Sequence, residues 1–214
     1  MKDNRVLLGF SGGIDSFAAV GLLQAAGYHV TALTLDMRGD SALLEKARLR
    51  AGALGIPWRM RSVRERFERE VVDYFTDSYF RGRTPAPCTR CNSRIKWPCL
   101  AAEADALGIR YIATGHYFRI TSAGGKRYVT RAADNRKDQS YYLWDLPQEI
   151  LDRVLTPMGT VIKRNITEEL ADRRESMGVC FFEGRPCRDF LRSRDKTEAL
   201  RPGPIIDSAG HRLG

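Results

Sequence analysis

Short apolar runs and longer amphipathic stretches alternate through the first half of the chain. Val6 to Phe10, Val30 to Leu35, Trp58 to Val63 and Tyr111 to Thr114 are short, partly β-branched or aromatic, and bounded by glycine, proline or charge. That pattern predicts buried strands. Helical patterns lie between them: Phe17 to Ala26 ends at Gly27, Leu43 to Leu54 ends at Gly55, Glu65 to Phe80 is charged and amphipathic, and Leu100 to Leu107 ends at Gly108. The β-α-β-α order predicts an α/β fold, a parallel sheet with helices on both faces and ligand sites at the carboxyl ends of its strands.

After Gly115 the texture changes. Phe118 to Ile120 and Arg127 to Arg131, turned at Gly124 and Gly125, predict a hairpin, and a polar segment, Asp134 to Ser140, follows. Pro157 and Gly159 then interrupt the chain before a charged helical pattern, Thr167 to Met177, and an apolar run, Val179 to Phe182, that reads as a buried strand. The closing residues, PGPIIDSAGHRLG, resemble the opening of another β unit. The expected division is an α/β domain over 1–150, a helical extension over 151–200 and the start of a small second β domain over 201–214.

Composition narrows the class. Apolar residues make up 43% and charged residues 29%, ordinary for a globular chain able to bury a core without disulfides. The formal charge of +9 makes a polyanion a candidate partner. No stretch approaches the roughly 18 consecutive apolar residues of a membrane span, and the start lacks a signal peptide's apolar segment, so the expectation is a cytoplasmic protein with no membrane partner. In a reducing compartment the five cysteines, Cys88, Cys91, Cys99, Cys180 and Cys187, read as thiols, metal ligands or catalysts rather than bridges.

The first strand runs directly into Ser11-Gly12-Gly13-Ile14-Asp15-Ser16 and then a helix. Two glycines allow a sharp turn that brings N–H groups close to an anion, and the helix start adds unpaired donors and a favourable dipole. Ser11 and Ser16 add hydroxyls. The plainer alternative is a turn in which Asp15 or Ser16 is only an N-cap. The string lacks the Gly-Lys-Ser/Thr end of a Walker loop. It resembles the PP-loop of ATP pyrophosphatases, which cleave ATP to AMP and pyrophosphate while adenylating a substrate oxygen. That resemblance implies that Gly9, Phe10, Ser11, Gly12, Gly13, Asp15, Ser16, Leu35 and Gly115 lie around ATP, with Asp15 a Mg²⁺ contact or a polarising carboxylate.

Cys88-Thr89-Arg90-Cys91-Asn92 follows a loop, Arg81 to Pro87, and precedes a helical pattern interrupted by Pro98. One Cys-x-x-Cys pair is too few for a closed zinc site. Arg90, Arg94 and Lys96 beside Cys91, and a helix start, favour thiolate and reactivity. Two buried thiols remain the alternative. Cys180, within Gly178-Val179-Cys180-Phe181-Phe182, has the apolar neighbours of a packing cysteine.

Taken in order, Gly-x-Ser-Gly-Gly-Ile-Asp-Ser, Gly-Arg-Thr-Pro-x-Pro-Cys-x-x-Cys-Asn, Ala-Thr-Gly-His-Tyr, Lys-Asp-Gln-Ser-Tyr-Tyr-Leu and Gly-Val-Cys-Phe resemble the tRNA-specific 2-thiouridylase family (MnmA, also called TrmU) along almost the whole chain. The resemblance implies ATP-dependent 2-thiolation of the wobble uridine of tRNAs for Lys, Glu and Gln. ATP activates the C2 oxygen as an adenylate, a persulfide on Cys180 delivers sulfur, and Cys91 helps release it through a transient disulfide. A sulfur-carrier protein or sulfide is the implied donor. Some relatives are thought to use a [4Fe-4S] cluster instead. Many have Asp where this chain has Cys88, so Cys88, Cys91 and Cys180 form a possible ligand set here.

By the same carry-over, His116, Lys137, Asp138 and Gln139 face the target base. Asn92, Arg81, Arg83, Arg94 and Lys96 belong with the tRNA contacts, with Arg90, Lys126, Arg127, Arg131 and Arg136 nearby and Tyr79, Phe80 or Trp97 as stacking candidates. Any one of these cations is equally explained as a solvated face. Two departures stand out: Lys163-Arg164-Asn165-Ile166 lacks the family's Val-Arg pair, so no role passes to it, and Pro98 falls where relatives often continue a helix. Beyond positions matching 202–214 the family continues through a central domain and a C-terminal β-barrel.

Overall fold

The computed structural model describes residues 4–164, 178–195 and 200–214. The predicted helix Thr167 to Met177 lies outside the described residues. Strands β1 (Arg5–Gly9), β2 (His29–Asp36), β3 (Trp58–Ser62), β4 (Tyr111–Thr114) and β7 (Val154–Leu155) form one sheet in the order β3-β2-β1-β4-β7, every pair parallel. Four of the five are the strands the apolar runs predict. The two-residue β7 is too short for any period, and it carries the sheet past residue 150.

Because strand side chains alternate, β1 serves both faces. Val6 and Leu8 join Ala19, Val20 and Leu23 of helix α1 (Ile14–Ala25) and Ala47 and Ala51 of α2 (Ser41–Ala53). Leu7 turns to the other face, against Leu100 and Ala104. The β3 edge is exposed, and Arg59 and Arg61 there both pair with Glu103, a charged margin that discourages strand addition.

Two continuous helices each contain a π turn. One is α3 (Arg64–Phe67), a π turn over Glu68–Val72 and α4 (Asp73–Phe80); the other is α5 (Pro87–Cys91), a π turn over Asn92–Lys96 and α6 (Trp97–Ala106). The second corrects the expected interruption at Pro98. The proline sits in the first turn of α6, directly after the π turn, where the irregular ladder absorbs its missing N–H and the helix runs on.

Strands β5 (Arg119–Ala123) and β6 (Lys126–Thr130) form the predicted hairpin, closed by Gly124 and Gly125 at φ 55° and 73°, the two positive values a tight two-residue turn requires. A short helix, α7 (Gln148–Leu151), packs Ile150 and Leu151 beneath the sheet. The apolar run after Gly178 is not a strand. It is a single 3₁₀ turn, Cys180–Phe182, followed by α8 (Cys187–Arg194). Phe181, Phe190 and Leu191 pack with Phe67, Phe75, Cys91 and Ile95, and the Phe75 and Phe181 rings meet edge to face at 5.2 Å. Fully burying each such ring contributes about 2 kcal/mol, which holds this distant segment on α3 to α6. Near the end, Ile206 and Arg212 make an isolated antiparallel bridge.

Candidate functional site

The strand order reverses between β1 and β4, so their carboxyl ends open a crevice where ligands bind in such sheets. The loop after Gly9 lies in that crevice and lacks space on both sides. A Cβ on Gly12, which has φ 71°, would stand 2.9 Å from the Ala47 Cα, and one on Gly115 would stand 2.8 Å from the Ser16 nitrogen. Ser11 Oγ accepts from the Gly13 N–H at 3.2 Å and lies 3.3 Å from Ser16 Oγ, and Ser16 Oγ donates to the Gly13 carbonyl at 3.0 Å. Gly13 itself caps α1 without a side-chain bond, so neither Asp15 nor Ser16 is the N-cap. Phe10 is buried, and its carbonyl accepts from Thr34 Oγ1 at 2.7 Å; Leu35 sits half-buried one position before the end of β2.

Asp15 is occupied from across the fold. Its Oδ1 accepts from the Tyr117 hydroxyl at 2.8 Å and from Lys163 Nζ at 2.5 Å. Lys163 is buried, and its backbone N–H donates to Asp134 Oδ2 at 2.9 Å. Sequence reasoning passes over both Tyr117 and Lys163. Lys163 lies 148 positions from Asp15, in the segment to which the resemblance assigns no role.

The cysteines correct another expectation. Cys180, read as a packing residue, is exposed, because its 3₁₀ turn points Phe181 inward instead. Arg38, just past β2, donates Nη1 to the Cys180 carbonyl at 2.7 Å. Cys91, read as an activated thiolate, is buried, and burial pushes its thiol up to about 11. Lys96 pulls the other way without prevailing, while the nearby Cys180 and Cys88 add to the rise. Cys88 is half-buried and also raised, by burial first. Cys91 thus rests protonated and buried, while Cys180 is accessible.

Asn92 is buried, with Nδ2 donating to the Cys88 carbonyl at 3.0 Å and Oδ1 without a hydrogen-bond partner. His116 follows Gly115 at the crevice, with Nδ1 2.8 Å from Thr114 Oγ1. Burial, helped by Lys96, pushes its imidazole down to about 3, so the ring is neutral at ordinary pH. Asp138 accepts from the Ala132 N–H and the Ser140 hydroxyl, and Gln139 exchanges two bonds with the Tyr117 backbone, so both brace the loop over Asp15. Lys137 is half-buried in the same loop, its N–H on the Asp134 carbonyl.

Among the cations, Arg81, Arg83, Arg94, Lys126, Arg131 and Arg136 are exposed, Lys96 and Arg127 are half-buried, and Arg90 is held between the Glu70 carbonyl and the Tyr74 ring. Trp97 is fully buried and cannot stack on a base, which removes one candidate. The Tyr79 hydroxyl hydrogen-bonds Cys187, and Phe80 is half-buried.

Among the described residues no group of three or more His, Cys, Asp or Glu could hold a metal ion. Cys88, Cys91 and Cys180 do not fit an iron-sulfur cluster in this arrangement, while Asp15 already gives Oδ1 to the Lys163 ammonium and the Tyr117 hydroxyl. Nor is any described helix long and apolar enough to cross a membrane.

The sheet order and the glycine loop at its switch point together define a PP-loop type of α/β domain. Residues 4–184 match the family described as the tRNA methyl transferase HUP domain, and the chain belongs to that family, in keeping with the resemblance to tRNA-specific 2-thiouridylases carried by its motifs. It is 46% identical to tRNA-specific 2-thiouridylase MnmA 1 of Bacteroides fragilis, over 98% of this chain and 63% of that protein. The identity is 42% to MnmA 2 of Phocaeicola vulgatus, over 98% and 63%, and 38% to MnmA of Carboxydothermus hydrogenoformans, over 98% and 64%. The chain thus spans less than two thirds of the length of these relatives. A crystal structure described as a predicted subunit of tRNA methyltransferase from Methanocaldococcus jannaschii shares the fold, with a TM-score of 0.53 at 17% identity over 92% of each chain.

Proposed function

We propose that this chain is the catalytic part of an enzyme that thiolates C2 of the wobble uridine in tRNAs for Lys, Glu and Gln at the expense of ATP. The observation that supports the reading is an exposed Cys180 whose neighbour Phe181 packs in the same core cluster as the buried Cys91, with Leu35, near the carboxyl end of β2, against that cluster. The loop and the α1 N-terminus suit the phosphates of ATP. Attack of the uridine O2 on the α-phosphorus releases pyrophosphate and turns a poor leaving group into AMP.

Sulfur comes from the persulfide of a carrier protein: the Cys180 thiolate attacks the carrier's outer sulfur, the carrier thiol leaves, and Cys180 becomes the persulfide, which its exposure suits. That sulfur attacks C2, AMP departs with the former O2, and Cys180 is left disulfide-linked to the base sulfur. Cys91, once it gives up its proton, attacks the Cys180 sulfur. A Cys91–Cys180 disulfide forms, 2-thiouridine is released, and an external dithiol restores both thiols with two electrons. Neutral His116 can donate or accept one hydrogen bond at the crevice without adding charge.

The test is incubation with unmodified tRNA for Lys, ATP, Mg²⁺, a persulfide-loaded sulfur carrier and a dithiol, followed by nucleoside mass spectrometry. Formation of 2-thiouridine, lost in both Cys91→Ala and Cys180→Ala, is the expected result. If none forms, the same assay on a chain extended to the relatives' full length decides, and silence there overturns the reading. Pyrophosphate release without tRNA, indifferent to both substitutions, would instead point to adenylation of a small molecule.

A further inference from the structure

The most exposed aromatic side chains among the described residues are Tyr141, at 60%, and Trp144, at 73%. Exposing a Trp to this degree forfeits the burial that usually justifies so large a side chain. The two flank Leu143, which is fully buried, so the chain there is anchored while its neighbours face outward. Tyr141 is also ordered: its ring lies 3.9 Å from that of Tyr142, centroid to centroid, and the Tyr142 hydroxyl hydrogen-bonds it.

The anchoring turn, Ser140–Tyr142, runs between the two poles of the site. At its start Gln139 is bonded to Tyr117, whose hydroxyl is on Asp15. Along its length the turn packs against α5, the helix that carries Cys88. Exposed Arg136 and half-buried Lys137 precede it in sequence, on a chain of net charge +9. Outward, ordered aromatic faces beside cations are what unpaired nucleobases stack on, while a lipid or protein partner would call for a contiguous aliphatic patch.

We infer that Tyr141 and Trp144 form a stacking platform for unpaired bases of the tRNA anticodon loop, holding the loop open beside Cys88. This rests on the thiolation reading, which requires the target uridine to be unstacked. The assignment replaces Trp97, which is buried, as the base-stacking tryptophan.

Trp144 reports on itself, because Trp97 is buried and Trp58 is half-buried with Nε1 on Thr34 Oγ1 at 2.9 Å. The experiment titrates the full chain with an unmodified anticodon stem-loop RNA while reading tryptophan fluorescence and, separately, RNA binding by anisotropy. The expected result is quenching that disappears in Trp144→Phe while binding is kept, and binding about tenfold or more weaker in Tyr141→Ala and Trp144→Ala, the range of one lost base stack. Both side chains are exposed, so unchanged melting temperatures are expected of these variants.

RNA bound at equal strength by the alanine variants, or without quenching, overturns the platform. So does dissociation of a wild-type dimer in Trp144→Ala sedimentation, which would give the face to a second copy. Because 2-thiouridine formation is read independently, a platform that fails while thiolation persists is told apart from failure of the thiolation reading itself.

Discussion

Lys163 Nζ and Asp15 Oδ1 stand 2.5 Å apart, joining the first turn of α1 to a residue beyond the last strand of the sheet. Lysine is 10% and aspartate 35% exposed, so the pair is only partly desolvated, and deleting one partner costs less than the roughly 3–5 kcal/mol of a fully buried pair. Lys163→Met is expected to lower unfolding stability by about 1–2 kcal/mol. Adding Asp15→Asn to it is expected to recover part of that loss, because the stranded charge is then gone. Urea midpoints of the single and double variants check this. ATP affinity is expected to fall in Lys163→Met, since the loop loses the tie that holds its first helical turn in place.

The cysteines should separate by reactivity. Brief alkylation of the native protein at pH 8, mapped by mass spectrometry, is expected to mark exposed Cys180 first and to leave Cys91 unmodified until denaturant is added. Burial also gives a pH signature. The Cys91 thiol titrates near 11 in the fold against 9.0 for an unburied thiol, so its contribution to stability is full below pH 9 and is lost as pH rises toward 11. The loss is on the order of 2 kcal/mol, and Cys91→Ala is expected to flatten this alkaline limb of the stability curve.

His116 carries the opposite sign. Its folded value of about 3 lies below the ordinary 6.5, so its contribution is present above pH 6.5 and declines as pH falls toward 3. Between pH 7 and pH 5 the wild type is expected to lose about 1–2 kcal/mol that His116→Gln does not. An imidazole signal that shows no titration step near pH 6.5 by NMR is the direct check.

Gly115 is needed for close approach rather than for a special dihedral. A methyl group there meets the backbone of Asp15 and Ser16, which cannot swing away as a side chain would. Gly115→Ala is expected to cost about 1–3 kcal/mol and to weaken ATP binding more than a change at Gly52, where a Cβ meets nothing and the backbone is not left-handed. Calorimetry on both variants, with and without nucleotide, separates the two effects.

How far the sequence speaks depends on how local the signal is. The four apolar strands, the glycine loop and the Gly124-Gly125 hairpin each announce themselves within a few residues, and each is found in place. The environment of Cys91 was misread because adjacent cations are visible in a string of letters while the burial that outweighs them is not. The apolar run around Cys180 was misread as a buried strand for a related reason: Phe181 takes the buried direction, and only the turn decides which of two neighbours faces inward. Lys163 and Tyr117 carry no local signal, since their meaning lies in a carboxylate far away in sequence. The two-residue β7 falls below any period a pattern can show.

The Cys180 segment is held by side chains: Phe181, Phe190 and Leu191 packed on α3 to α6, Arg38 on the Cys180 carbonyl and Glu183, and the Arg194–Glu68 pair. None of these is part of the sheet's hydrogen-bond ladder. The turn is therefore a separate cooperative unit whose opening free energy is smaller than that of the whole molecule. Amide exchange in 178–195 should run faster than in β1, and each opening uncovers Cys91. The same side-chain attachment thus sets how often the protected thiol meets solvent, and with it how long the protein keeps its thiols reduced in air.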